Sequence, residues 1–252
     1  MSSIAAIIRD VDNGRQLCRV DALRLLAEAD LLEVGELADA IRRRRHPDNR
    51  VTFVVDRNVN YTNICESKCR FCAFFRDQNA PDAFVLAEEE IFAKIKELVD
   101  VGGTQLLMQG GLHPGLGIDW FEKLFREIKA RFPHLQNHSL SPAEITQVAQ
   151  VSKLSIPETI RRLKDAGLDS IPGGGAEILV DRVRSEISPK KIGWAGWAAV
   201  MRDAAKQGMP TTATMMFGST ESMEDIVEHI FRIRELQAAG GSFTAFIPWT
   251  YQ

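Results

Sequence analysis

Beyond residue 50 the chain switches repeatedly between two hydrophobic periods, and this alternation limits its possible folds more than any other feature. Short β-branched or apolar runs at Val51–Val55, Thr104–Met108, His134–Leu140, Asp169–Pro172, Thr211–Phe217 and Phe243–Ile247 predict strands. Between them, apolar residues return every three or four positions over Glu88–Val101, Ile118–Arg131, Ala143–Val151, Ile156–Ala166, Trp194–Gln207 and Met223–Ala238, which predicts helices. Repeated strand–helix units pair in parallel through right-handed crossovers. The expected fold is therefore α/β, a partial TIM-type (β/α)6 barrel rather than a flat dinucleotide-binding sheet. Residues 1–50 carry only the helical period, in Val20–Leu26 and Leu31–Ala38. A helical extension over 1–50 is thus expected before a barrel core over 51–252.

In a parallel barrel the loops after the strands share one face, where such folds place their chemistry. Here those loops carry Gln109-Gly110-Gly111, Ser141-Pro142-Ala143-Glu144, Pro172-Gly173-Gly174-Gly175-Ala176-Glu177 and Gly218-Ser219-Thr220-Glu221. With 31 Lys plus Arg against 34 Asp plus Glu, the net charge of -3 provides no field to attract nucleic acid, so a small-molecule partner is expected. The Arg42–Arg45 run ends a helical stretch, where cations complement the helix dipole. No apolar segment reaches the roughly 18 residues of a membrane span, and the start lacks a signal-peptide pattern, so a cytoplasmic protein without a membrane partner is expected.

The cysteines point to a specific chemistry. Three of four, Cys65, Cys69 and Cys72, fall within eight positions, while Cys18 lies far upstream. This is unlike an extracellular disulfide framework and resembles a metal site in a reducing compartment. A loop with this spacing can turn three thiolates to one side, as an iron–sulfur cluster requires. Zinc is the alternative: a closed zinc site needs four ligands, for which Cys18 or a histidine is available, and would make the chain a zinc-stabilised binding module.

The spacing CxxxCxφC, with Phe71 as the aromatic, matches the motif of the radical S-adenosylmethionine superfamily, which the chain resembles. The resemblance implies a [4Fe-4S] cluster on Cys65, Cys69 and Cys72, with one iron left open for S-adenosyl-L-methionine. It places Phe71 near the adenine, Gly110 and Gly111 near the methionine end, and Gly218 with Glu221 in an adenine-side GxxE element. Glu177 is placed at the ribose or amino group. An alternative for Glu177 is an acidic cap on a following helix.

Val54–Asn63 and Cys72–Arg76 are similar to the branch serving menaquinone and deazaflavin synthesis. Gln109–Pro114, Ser170–Leu179 and Phe246–Thr250 are similar to the cyclases acting on dehypoxanthine futalosine, a nucleoside-derived substrate. The resemblance implies abstraction of a ribose hydrogen, closure onto the benzoate ring, and an electron donor such as flavodoxin or ferredoxin. Ser141 is placed beside the substrate, although Ser141 and Glu144 equally form a capping box. Arg76, or Lys68, suits the substrate carboxylate, and His113 suits both substrate contact and the final proton loss, unless Pro114 merely holds it in its loop. Aminofutalosine synthases and deazaflavin-forming radical enzymes share these motifs. The family continues past Pro248-Trp249-Thr250, which implies that a C-terminal cap over the barrel mouth is missing from this sequence. Met215-Met216 and Trp194 with Trp197 read as core packing.

Overall fold

The computed structural model describes residues 3–251; residues 1, 2 and 252, at the outer limits of the expected extension and barrel, lie outside the described residues. Three helices come first: α1 (Ile4–Asp12), α2 (Arg19–Glu28) and α3 (Leu31–Arg45). Then follow β1 (Asp56–Val59), α4 (Glu88–Asp100), β2 (Gln105–Met108), α5 (Ile118–Arg131), β3 (Gln136–Ser139), α6 (Pro142–Ser152) and α7 (Ile156–Ala166). The chain continues through α8 (Asp181–Ile187), α9 (Trp194–Lys206), β4 (Thr211–Phe217), α10 (Met223–Ala238) and β5 (Phe243–Thr250).

All strand pairs are parallel, β1 to β2 to β3 in one block and β4 to β5 in the other. Single bridges, His138 to Ser170 and Ile171 to Thr211, join the blocks into the curved wall of a partial barrel. The strand expected at Asp169–Pro172 is reduced to those bridges. The Asp169 side chain accepts the Asn137 N–H at 2.6 Å and a bond from Lys129 at 2.5 Å, taking a ladder position with a carboxylate, and Pro172 has no N–H to continue.

The first strand is also displaced. Val51–Val55 is exposed, Phe53 by 87%, and is held to the neighbouring segment by the Thr104 N–H on Val55 O at 3.1 Å; β2 begins only at Gln105, so β1 forms from Asp56, where it lies beside that strand. The short α8 was not foreseen, since seven residues are too few to display a period.

Alternation divides each strand. Val59, Leu106, Met108, Ile171 and Ala213 face outward and pack with Ile91, Phe121, Phe125, Leu163 and Trp197 from the helices. Trp197 is fully buried, as its core period implies, and Met215 and Met216 are buried in a second apolar group. The helices carry their expected end signals. At the start of α7 the Ser155 hydroxyl accepts the Glu158 N–H at 3.3 Å. Ser155→Ala is expected to cost about 1 kcal/mol, a fall of roughly 2–4 °C in a thermal melt of a chain this size.

Helix α2 is tied to α10 by Arg19, which pairs with Glu228 at 2.9 Å and Glu235 at 2.8 Å. Arg42–Arg45 occupy the exposed last turn of α3, as their position in the sequence suggests. Among the described residues no helix is long and apolar enough to cross a membrane.

Candidate active site

The loop after β1 is fastened mainly by its backbone. Cys65 N–H donates to Arg76 O at 3.1 Å and Arg76 N–H to Asn63 O at 2.7 Å, closing its neck. Glu66 N–H reaches Leu112 O at 3.1 Å and Arg70 N–H reaches Ile187 O at 2.8 Å, docking it on two neighbouring segments. The Asn63 side chain adds bonds to Asp82 O and from Phe84 N–H. Cys69 is buried, Cys65 and Cys72 are half-buried, and all three line one cavity with Gly110, Gly111 and Ser141.

Burial pushes the Cys69 thiol up, against the opposing pull of the Lys191 ammonium and of the Ser67 hydroxyl 3.3 Å away. The glycines after β2 are required by the protein itself. A Cβ on Gly111 would stand 2.1 Å from Ile64 O and 2.8 Å from Cys65 Cβ, and one on Gly110 would stand 2.8 Å from the Tyr61 ring.

A buried carboxylate organises the floor of this cavity. Glu144 accepts from Gly110 N–H at 2.8 Å, Ser141 N–H at 2.7 Å, Ser141 Oγ at 2.6 Å and Tyr61 Oη at 3.0 Å. Burial raises its pKa despite these donors. The capping box expected at Ser141 is formed, and the same serine also faces the cavity. Glu144→Gln would set an amide NH2 against N–H groups that can only donate. An expected loss of about 1–3 kcal/mol is measurable by urea denaturation.

Glu177 is buried at a positive φ of 42°, and no helix begins there, so the cap alternative is overturned. Its carboxylate pairs with Lys191 Nζ at 2.8 Å and Arg184 at 3.4 Å. Burial alone would raise its pKa, but these two cations hold it below the usual range. Lys191, unnoticed in the sequence, lines the cysteine cavity and stands 5.6 Å from the Phe71 ring centroid. Its only sequence signal is the Pro189-Lys190-Lys191 run after α8.

The remaining candidates separate. Phe71 packs edge-on to Tyr251 at 6.2 Å, on the side where Gly218, at φ 99°, opens the turn after β4. Glu221 spends its carboxylate on that turn, accepting from Gly218 N–H and from Ser219 N–H at 2.9 Å. Arg76 bonds Asp82 at 2.6 Å and Ala73 O at 3.0 Å within its own loop, and Lys68 pairs with Asp77. His113 lies behind Gly111, in a recess with Leu112, Glu144 and Gln147, and its Nδ1 accepts the Gly115 N–H at 2.9 Å. Burial lowers its pKa. It does not line the cysteine cavity.

The donor set fits an iron–sulfur cluster: three thiols surround one cavity beside a small-residue floor. Among the described residues, no three His, Cys, Asp or Glu side chains gather tightly enough to hold a single metal ion.

Comparison with known proteins agrees. Residues 59–233 match the model of the radical SAM superfamily. The chain is 46% identical over 250 residues to cyclic dehypoxanthine futalosine synthase of Halalkalibacterium halodurans, covering 99% of this chain and 68% of that protein. It is 43% identical over 228 residues to 5-amino-6-(D-ribitylamino)uracil--L-tyrosine 4-hydroxyphenyl transferase 1 of Methanosarcina mazei, covering 90% of this chain and 59% of that one. The chain thus spans about three-fifths to two-thirds of the length of these relatives. The crystal structure of methylornithine synthase superposes with a TM-score of 0.74 at 17% identity, covering 98% of this chain and 68% of that one. On the extent of the family match, and with three thiols on one cavity of a partial barrel, the chain belongs to the radical SAM superfamily.

Proposed function

We propose that the chain is the catalytic core of a radical S-adenosylmethionine cyclase that converts dehypoxanthine futalosine to its cyclic product on the futalosine route to menaquinone. The observation that carries this reading is the convergence of Cys65, Cys69 and Cys72 on one cavity in a chain 46% identical to a synthase of that name. When bound, the cluster and S-adenosyl-L-methionine would supply the 5'-deoxyadenosyl radical that takes a hydrogen from the substrate.

The protein's own groups have separable duties in this reading. The three thiolates hold the cluster, and Gly110 and Gly111 line the cavity beside them, their N–H groups donating to Glu144 and Thr62 O. Glu177 serves the amino or ribose groups of S-adenosylmethionine, with Phe71, Gly218 and Glu221 on the adenine side. Ser141, held by Glu144, faces the substrate. His113 and Arg76 are assigned to substrate, and His113 to the final proton loss, from their motif positions; to take that proton the His113 Nδ1 must release the Gly115 N–H. Residues 1–50 brace α10, and residues 51–252 form the core. Free thiols suit a reducing, cytoplasmic setting in which a flavodoxin or ferredoxin delivers the electron.

A second reading, transfer chemistry on 5-amino-6-(D-ribitylamino)uracil and tyrosine, is favoured by the 43% identity to the Methanosarcina mazei enzyme. One experiment separates the two. The chain is reconstituted anaerobically with iron and sulfide, reduced with dithionite, and given S-adenosylmethionine with either substrate. 5'-Deoxyadenosine together with cyclised dehypoxanthine futalosine, read by mass spectrometry, is the expected result. 5'-Deoxyadenosine with product only from the ribityl compound and tyrosine would replace it, and neither product without a four-iron spectrum would refute both.

A further inference from the structure

Between Gly175 and the start of α8 the chain is buried and carries an unusual backbone. Ala176, Ile178 and Leu179 are fully covered, and Glu177 among them holds its positive φ of 42°. That conformation is disfavoured for any residue with a Cβ and persists only where the surroundings hold it.

Neighbouring elements do so. Glu177 O accepts the Met216 N–H of β4 at 2.9 Å, and Arg184 of α8 donates to Ala176 O at 2.5 Å. Helix α10 supplies a clasp from 50 positions away: His229 Nδ1 accepts the Leu179 N–H at 2.9 Å, and Arg232, one turn on, donates to Leu179 O. Both backbone polar groups of Leu179 are therefore held by side chains of one helix. Leu179 lies outside the strands, so no ladder serves its N–H, and a buried amide without an acceptor is rare.

Histidine is a demanding choice for this position. His229 is fully buried, and with Nδ1 accepting, the neutral ring carries its proton on Nε2. Nε2 has no hydrogen-bond partner among the described residues. A leucine there would be apolar throughout and leave no orphaned donor, yet it could not accept the Leu179 N–H. Burial keeps the ring neutral, lowering its pKa to about 4 although the Thr214 backbone and the Glu177 charge favour the cation, so Nδ1 remains an acceptor near neutral pH.

The clasp bears on the candidate active site through Glu177. That carboxylate meets Lys191 at 2.8 Å and Arg184 at 3.4 Å, and Lys191 lines the cysteine cavity. Contacts thus run without a break from α10 through the Leu179 backbone to Glu177 and on to the cavity. Releasing Leu179 would let the Glu177 backbone leave the left-handed region and turn its carboxylate away.

We infer that His229 is a positioning residue: by accepting the Leu179 N–H it holds Glu177 in its left-handed conformation and so presents the carboxylate to bound S-adenosylmethionine. The inference rests on the proposed function only for the contact between Glu177 and that cofactor.

Two measurements on the chain reconstituted with iron and sulfide test it. Hydrogen exchange read by mass spectrometry follows the backbone of residues 176–180, and calorimetry follows affinity for S-adenosylmethionine. The proteins compared are the unmodified chain, His229→Leu, His229→Gln, His229→Asn, Glu177→Gln and the double variant His229→Leu/Glu177→Gln. In His229→Leu the segment is expected to exchange about tenfold faster and the cofactor to bind about tenfold more weakly, the scale of an unsatisfied buried donor. His229→Gln, whose oxygen stands one bond too far out, should lose as much. His229→Asn, whose Oδ1 can take the place of Nδ1, should recover both to within a few-fold. The double variant should bind no more weakly than Glu177→Gln, because both changes act through one carboxylate.

Losses that add in the double variant would overturn the inference by showing that His229 acts on the fold at large. So would unchanged affinity in His229→Leu beside weakened binding in Glu177→Gln. If Glu177→Gln binds S-adenosylmethionine as tightly as the unmodified chain, or the unmodified chain does not bind it, the cofactor contact assigned to Glu177 falls and exchange alone decides. Faster exchange confined to residues 176–180 in His229→Leu and His229→Gln then sustains the clasp, and exchange that is unchanged or faster throughout the chain overturns it.

Discussion

Cys69→Ala is expected to yield a folded chain that assembles no four-iron cluster and forms 5'-deoxyadenosine only at background. Cys69 is the most buried of the three thiols, at 5% exposure, and sits between the Ser67 hydroxyl and the Lys191 ammonium. Both groups favour a thiolate, and neither can replace it as an iron ligand. Removing one sulfur from a packed site is a small volume change, so the circular dichroism spectrum and melting point should stay near those of the unmodified chain. Iron and sulfide analysis, the visible absorption of the reconstituted protein and product counting check the three parts separately. Full iron loading in the variant would remove Cys69 from the ligand set.

Gly111→Ala should act on the same site through the backbone. The added methyl would lie 2.1 Å from Ile64 O, 2.6 Å from Ile64 C and 2.8 Å from Cys65 Cβ. Two of these atoms are main chain, so no rotamer change relieves the contact. The cost is expected at or above about 3 kcal/mol, the upper end for overpacking. That corresponds to roughly 6–12 °C in melting temperature for a chain of this size. Any relief moves Cys65, so the iron bound per chain should fall as well. Gly208, at φ 65° with nothing within 4 Å of its Cβ position, provides the comparison: alanine there meets only backbone strain of about 1–2 kcal/mol. Equal losses at the two positions would show that the Ile64 contact is absorbed.

Much of this architecture is legible in the residues. The helical periods of Glu88–Val101 and Ile118–Arg131 place α4 and α5 almost to the residue, because a long amphipathic face repeats its signal several times. The cysteine spacing is readable by itself as a metal site, whereas Gly110 and Gly111 stand out only through the family resemblance and their place after a strand. What escapes is whatever depends on distant partners. Val51–Val55 has strand composition but meets its neighbour only at Val55, and Asp169–Pro172 loses its ladder to its own carboxylate. Lys191 reaches Glu177 and the cysteine cavity only through the folding back of the α8 segment, so the short Pro189-Lys190-Lys191 run is all that marks it locally.

The way the cysteine loop is held has a bearing on how tightly its sequence is constrained. Its clasps at Cys65, Glu66, Arg70 and Arg76 are main-chain bonds, which nearly any amino acid can make. The scaffold therefore stores its instructions in few letters: three sulfurs, two glycines that must have no side chain, and the Asn63 and Arg76 side chains that reinforce the neck. The same shape can then be written in very different spellings, as the shared fold with methylornithine synthase at 17% identity and a TM-score of 0.74 illustrates.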